Sequence, residues 1–338
     1  TLDEKIASMF MIHLPGIDPA GQAAFAEANN VGGLILMGDN IPQPPEALAS
    51  ITPGLSSEAG LPLLIGIDQE GGIVSRLSSD TAASAAELRY LDPAAAREAF
   101  AARGALLQSV GVSVNFGIVA DVTGDAASFI FDRSMGSTGA DAAARVAQAV
   151  EGESGLVLST LKHFPGHGVA PGDSHSTIPS TSMSFDQWRA EHAAPFVSGI
   201  EAGAELVMFG HLQFDAVDPQ PASLSPLWHE VLRNDLGFDG IIITDDMGML
   251  QNSGRPELAD VATNAIRAIA AGNTMLLYVG PVDVAGVTLA VRNAVLAGTL
   301  DESLIDDAAH RLLVERRTLS GETGRFVHCF EDCQAIIE

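Results

Sequence analysis

Short apolar runs rich in β-branched residues alternate along this chain with Ala-rich stretches whose apolar positions recur at helical spacing. The runs predict strands at Val31 to Met37, Pro62 to Asp68, Val112 to Ala120, Leu156 to Leu161, Leu206 to Phe209, Gly240 to Thr244 and Met275 to Val279. Pro93 to Val110, Gly139 to Gly152, Asp186 to Ala202 and Glu257 to Ala271 predict helices between them. Strands that are apolar throughout belong to a parallel sheet covered on both faces, which leaves a (βα) barrel or a doubly wound sheet. Seven or so units in one unbroken rhythm favour the (β/α)8 TIM-type barrel, with room for irregularity. Near the C-terminus, Leu300, Leu304, Ala308 and Leu312 recur at helical spacing, and Thr299 with Glu302 predicts a capping box at the start of that helix. The period is lost after about Ser320, so residues 1–320 read as one barrel domain and 321–338 as a tail.

Composition narrows the function classes. With 338 residues, 47% of them hydrophobic and 18% charged, the chain is a globular protein with a substantial core. A formal charge of -26 argues against nucleic acid and anionic membrane surfaces as partners and favours a neutral or locally steered substrate. No run of eighteen or more apolar residues occurs, so no membrane insertion is expected. Thr1 to Lys5 lack the features of a signal peptide, which makes the expected chain either cytosolic or already processed. The two cysteines, Cys329 and Cys333, are spaced to close a small disulfide in an exported protein, or stand as free thiols in a cytosolic one. Together with the lysine-poor acidic composition, they tilt the expected location towards export or the cell envelope.

Chemistry concentrates where the predicted strands end, which in α/β barrels is where catalytic groups sit. Asp68-Gln69-Glu70-Gly71-Gly72 follows one run, Lys162-His163 a second, Gly210-His211 a third and Thr244-Asp245-Asp246 a fourth. The densest stretch, residues 162–175, holds Lys162, one of only two lysines, with His163, His167, Asp173 and His175. A single Asp after an apolar run is usually a helix N-cap, but four polar strand ends together outweigh that reading. Arg133 as a helix-start arginine, His211 as a satisfied core histidine, His167 as a loop-shaping residue and Asp246 as a cap remain the structural alternatives. A metal site built from His163, His167, His175, His211 and Asp245 is disfavoured because the first strand lacks a His-x-His pair. A dinucleotide-binding oxidoreductase is disfavoured because no Gly-x-Gly-x-x-Gly follows a strand.

These segments resemble glycoside hydrolase family 3, and within it the single-domain bacterial β-N-acetylhexosaminidases. The resemblance is carried by Gly66 to Gly72, Val114-Asn115-Phe116 with Asp121, Asp132 to Gly136, Lys162 to Gly168 with Asp173-Ser174-His175, Val207 to His211, and Ile243 to Met247. It implies retaining hydrolysis of a terminal β-linked N-acetylglucosamine through a covalent glycosyl-enzyme intermediate, with Asp245 as nucleophile, His175 as acid/base and Asp173 orienting it. It further implies that Asp68, Arg133, Lys162 and His163 hold the sugar hydroxyls, with His211 close by. No cofactor or metal is expected, and the expected partner is a small carbohydrate, such as a cell-wall fragment or chitin oligosaccharide, bound by a monomer. Phosphorolysis and a non-catalytic sugar-binding barrel are the alternatives. Two positions depart from the family pattern: Ile73 stands where an arginine is frequent, and Thr274 where an aspartate is usual.

Overall fold

The computed structural model describes residues 1–321 except 57 and 59. Eight short strands form one parallel sheet: β1 (Phe10–Ile12), β2 (Gly33–Leu36), β3 (Leu64–Ile67), β4 (Val114–Val119), β5 (Leu158–Phe164), β6 (Leu206–Phe209), β7 (Ile241–Thr244) and β8 (Leu276–Tyr278). Their order is β7-β6-β5-β4-β3-β2-β1-β8, each hydrogen-bonded to its neighbour. A parallel bridge between Ile243 and Met275, with Thr244 N–H donating to Met275 O at 3.1 Å, joins the two ends. The predicted barrel is therefore present. Every residue of these eight strands is buried, as continuous apolar runs require when helices cover the sheet.

The first strand lies outside the seven predicted runs. Phe10-Met11-Ile12 is too short for a periodicity signal, and it is a strand because β2 and β8 pair with it on either side. The predicted helix Asp186 to Ala202 is two helices, Phe185–Glu191 and Ala193–Glu201. Pro195 explains the break: its ring would clash with the carbonyl four residues back in a continuous helix, and it has no N–H to donate. The capping box expected from Thr299 and Glu302 does not form. Asp301 caps the helix Glu302–Leu319 through Ser303 N–H, while the Thr299 hydroxyl donates to Ala294 O. The pairing of Cys329 and Cys333 lies outside the described residues.

An aromatic cluster anchors the chemically dense end of β5. Phe164 meets Trp188, Phe196, Phe209 and Trp228 edge-on at centroid distances of 5.8, 5.1, 4.9 and 5.9 Å. Trp188 also donates from Nε1 to Pro165 O at 2.7 Å. Rings at these distances and angles attract through their quadrupoles as well as through apolar burial. The turn after β5 thus starts from a fixed base.

Candidate active site

The site begins with Lys162, placed inside β5 rather than after it and 2% exposed. Its Nζ lies 2.9 Å from Asp68 Oδ1 and 2.7 Å from Glu70 Oε1, both on the segment that follows β3. Burial alone would lower the lysine's pKa, but the charges of Asp68 and Glu70 outweigh it and raise the value, so the ammonium persists. Glu70 also takes two hydrogen bonds from Arg133, Nε to Oε2 at 2.9 Å and Nη2 to Oε1 at 2.8 Å. Burial would push the Glu70 carboxyl up, yet Lys162 and Arg133 prevail and hold it at about 2. A buried carboxylate with two cationic partners is stable where a lone one would take up a proton.

A second buried carboxylate, Asp121, follows β4 and organises the histidines. Its Oδ2 lies 2.7 Å from His163 Nδ1, and its Oδ1 accepts the backbone N–H groups of His163 at 3.2 Å and His167 at 2.5 Å. Burial opposes ionisation here too, but His163 and His167 outweigh it and lower the carboxyl to about 2. Arg133 Nη2 approaches His163 Nε2 at 3.4 Å. Because the Asp121 carboxylate only accepts, His163 Nδ1 carries a proton towards it.

Asp245 stands at the end of β7, its N–H bonded to Phe209 O at 2.8 Å. Its Oδ1 accepts from Asp246 N–H at 2.8 Å, and Oδ2 has no hydrogen-bond partner among the described residues. Burial pushes this carboxyl up, but the neighbouring His163 and His211 rings, the Asp246 N–H and the Lys162 ammonium together keep it below its ordinary value. It is an anion at neutral pH. Asp246 lies beside it and accepts from Gly248 N–H at 3.1 Å and Val279 N–H at 3.0 Å, the capping role its sequence position suggests.

Asp173 and His175 lie on the segment after β5. His175 Nδ1 is 2.5 Å from Asp173 Oδ1, and His175 N–H donates to the same oxygen at 3.0 Å. Burial raises the Asp173 pKa, but the bonds from His175 together prevail and lower it. The His175 side chain is 68% exposed.

One cavity of about 230 Å³ gathers Asp68, Glu70, Arg133, Lys162, His163, His167, His175, Asp245 and Asp246, with apolar walls that include Met208, Met249 and Leu277. That volume lies below the ~300–1,000 Å³ of drug-sized sites, in keeping with a ligand of one ring. A larger groove of about 710 Å³ is lined by Phe238, Asp239, Asn273 and Thr274, which precede β7 and β8, and therefore opens at the other end of the strands.

His211 is not part of this cavity lining. It is 0% exposed, with Nδ1 2.6 Å from Ser223 Oγ and Nε2 3.0 Å from Asp246 O. A carbonyl only accepts, so Nε2–H donates to it, and Nδ1 accepts from the serine. Both ring nitrogens are engaged, which replaces the expected contact with a sugar hydroxyl by support of the segment carrying Asp245 and Asp246. Glu70 and Asp121 received no role from the sequence, although both follow predicted strands. That position was the available signal. No group of three or more His, Cys, Asp or Glu among the described residues is arranged to hold a metal ion.

Comparison with known proteins gives a consistent neighbourhood. The pattern of the family described as "Glycosyl hydrolase family 3 N terminal domain" matches residues 1–314. A beta-hexosaminidase of Idiomarina loihiensis is 33% identical over 334 residues, covering 94% of this chain and 98% of that protein. Among solved structures, a glycoside hydrolase family 3 beta-N-acetylglucosaminidase from Paenibacillus superposes with a TM-score of 0.87 at 30% identity, over 100% of this chain and 66% of that longer one. A beta-N-acetylhexosaminidase from Beutenbergia cavernae superposes with a TM-score of 0.80 at 27% identity, over 94% and 98% of the two chains.

Proposed function

This chain belongs to glycosyl hydrolase family 3, and on that premise we propose that it is a retaining glycosidase that releases terminal, non-reducing β-linked N-acetylglucosamine from cell-wall fragments or chitin oligosaccharides. The observation that carries this reading is the pairing, in one cavity, of an ionised Asp245 having a free Oδ2 with a histidine backed by a carboxylate.

In the first step Asp245 Oδ2 attacks the anomeric carbon, and the glycosidic C–O bond breaks as His175 delivers a proton to the departing oxygen. In the second step His175 takes a proton from water, whose oxygen attacks the anomeric carbon and expels Asp245. Two inversions give net retention. Asp173 aligns the imidazole through the contact between its Oδ1 and His175 Nδ1, leaving Nε2 for the proton transfer. Asp68, Lys162, Arg133 and His163 hold the hydroxyls and the acetamido group. Because these groups are tied together and cannot turn to follow it, a sugar with a misplaced hydroxyl forfeits its hydrogen bonds here, which is a basis for discrimination.

The test is the initial rate on 4-nitrophenyl N-acetyl-β-D-glucosaminide beside the corresponding β-glucoside, without phosphate. Strong preference for the acetamido substrate is expected. Asp245→Asn should cut that rate by about three orders of magnitude or more while the melting temperature stays near the parent's. Near-parental activity of that variant would remove Asp245 from the nucleophile role, and a rate that requires added phosphate would make the enzyme a phosphorylase.

A further inference from the structure

The segment Pro171 to Thr177 carries the proposed acid/base pair, and the Asp173 and His175 side chains are 51% and 68% exposed. Ser174 between them is 2% exposed. Most hydrogen bonds of the segment close on itself: His175 N–H reaches Asp173 Oδ1, while Ser176 N–H and the Thr177 hydroxyl both reach Asp173 O. Ser174 makes its one hydrogen bond to the rest of the described residues, Oγ lying 2.7 Å from His167 Nε2.

His167 is fixed in turn. It is 1% exposed, its backbone N–H is held by Asp121, and its ring meets Phe129 and His163 edge-on at 4.8 and 5.5 Å. Burial foremost, and then the neighbouring His163, lowers its pKa to about 4, so the ring is neutral and presents one donor and one acceptor nitrogen at working pH. The buried Asp121 therefore aligns His163 directly and the acid/base segment through His167 and Ser174.

We propose that Ser174, held by His167, is a positioning residue for the acid/base: it docks the Asp173–His175 segment at the cavity so that His175 meets the leaving oxygen, and it touches no reacting atom. This inference rests on His175 being the acid/base. A segment tied by one bond samples many positions when that bond is lost, and the effective concentration of the imidazole at the leaving oxygen falls accordingly.

The experiment compares N,N′-diacetylchitobiose, whose sugar leaving group needs a proton, with 2,4-dinitrophenyl N-acetyl-β-D-glucosaminide, whose leaving group does not. Ser174→Ala should lower kcat on the disaccharide by about tenfold or more with KM little changed, and leave kcat/KM on the dinitrophenyl substrate within about twofold. Ser174→Thr, which keeps the hydroxyl, should restore most of the loss. In a His175→Ala background, Ser174→Ala should add no further loss on the disaccharide, because the group it positions is gone. Should the alanine variant not fold, Ser174→Cys keeps the volume with a weak hydrogen-bonding group and is read the same way. Equal loss on both substrates, no loss on either, or a further loss in the His175→Ala background overturns the positioning role. If His175→Ala itself depresses both substrates alike, the acid/base reading fails first and the positioning role falls with it.

Discussion

Glu70 and Asp121 are assigned no chemical step, yet each fixes groups that line the cavity. Both are buried, both stay ionised through cationic or histidine partners, and removing either would leave Lys162 with Arg133, or the His163 and His167 segment, without its counterpart. Glu153, which ends the helix Gly139–Glu153, behaves in the opposite way. Burial pushes its carboxyl up to about 8, against the 2.5 Å hydrogen bond from Asn115 Nδ2 that favours the ionised form. It is protonated in the folded protein at pH 7, whereas the unfolded chain ionises it from about pH 4.5. A folded value raised in this way gives stability that is complete below the unfolded value and is lost as pH rises towards 8. Glu153→Gln removes that loss. Its stability relative to the parent should therefore climb between pH 5 and pH 8.5, reaching a gain on the order of a few kcal/mol, as read by denaturant unfolding at each pH. A difference that does not vary with pH would show Glu153 to be ionised in the fold.

Among the elements, the turn after β5 does most to shape the site. It is held by Trp188 through Pro165 O, by Asp121 through His167 N–H, and by close packing at Gly168, where a Cβ would lie 1.9 Å from Val122 O. That backbone oxygen has no room to yield without moving the segment that contains Asp121. Gly168→Ala should therefore lower kcat/KM by about tenfold or more while the protein still folds, measured with the aryl N-acetylglucosaminide and by circular dichroism. Unchanged kinetics would mean that the turn tolerates displacement. The local patterns read well where an element declares itself within a few residues: seven of the eight strands stand within predicted runs, although β5 continues past its run through Lys162 to Phe164. They failed at one strand and one helix start, the first for a non-local reason and the second for a local one. β1 exists because two neighbours pair with it, and the capping residue before Glu302 is Asp301 because the Thr299 hydroxyl turns back to Ala294 O.

For the whole molecule, the acidic composition is a matter of stability and of partners rather than of fold. A formal charge of -26 makes the compact state repel itself, and salt screens exposed charges within about 10 Å at 0.1 M. Raising sodium chloride from near zero to 0.5 M should lift the melting temperature by about 2–5 °C, by differential scanning calorimetry. A falling melting temperature would show that the surface ion pairs outweigh this repulsion. The site itself resists such screening, since Lys162 and Glu70 are buried. By itself the sequence determined the barrel and the identity of the chemical groups, because apolar period and strand-end residues are local and follow from backbone geometry. Only the tertiary structure decided their company: Glu70 beside Lys162 and Arg133, Asp121 beside His163 and His167, and His211 turned to Ser223 and Asp246 O instead of the cavity. Apart from His211 with Ser223, those pairings join residues from different strand ends, and no spacing along the chain encodes which strand ends a closed barrel brings together.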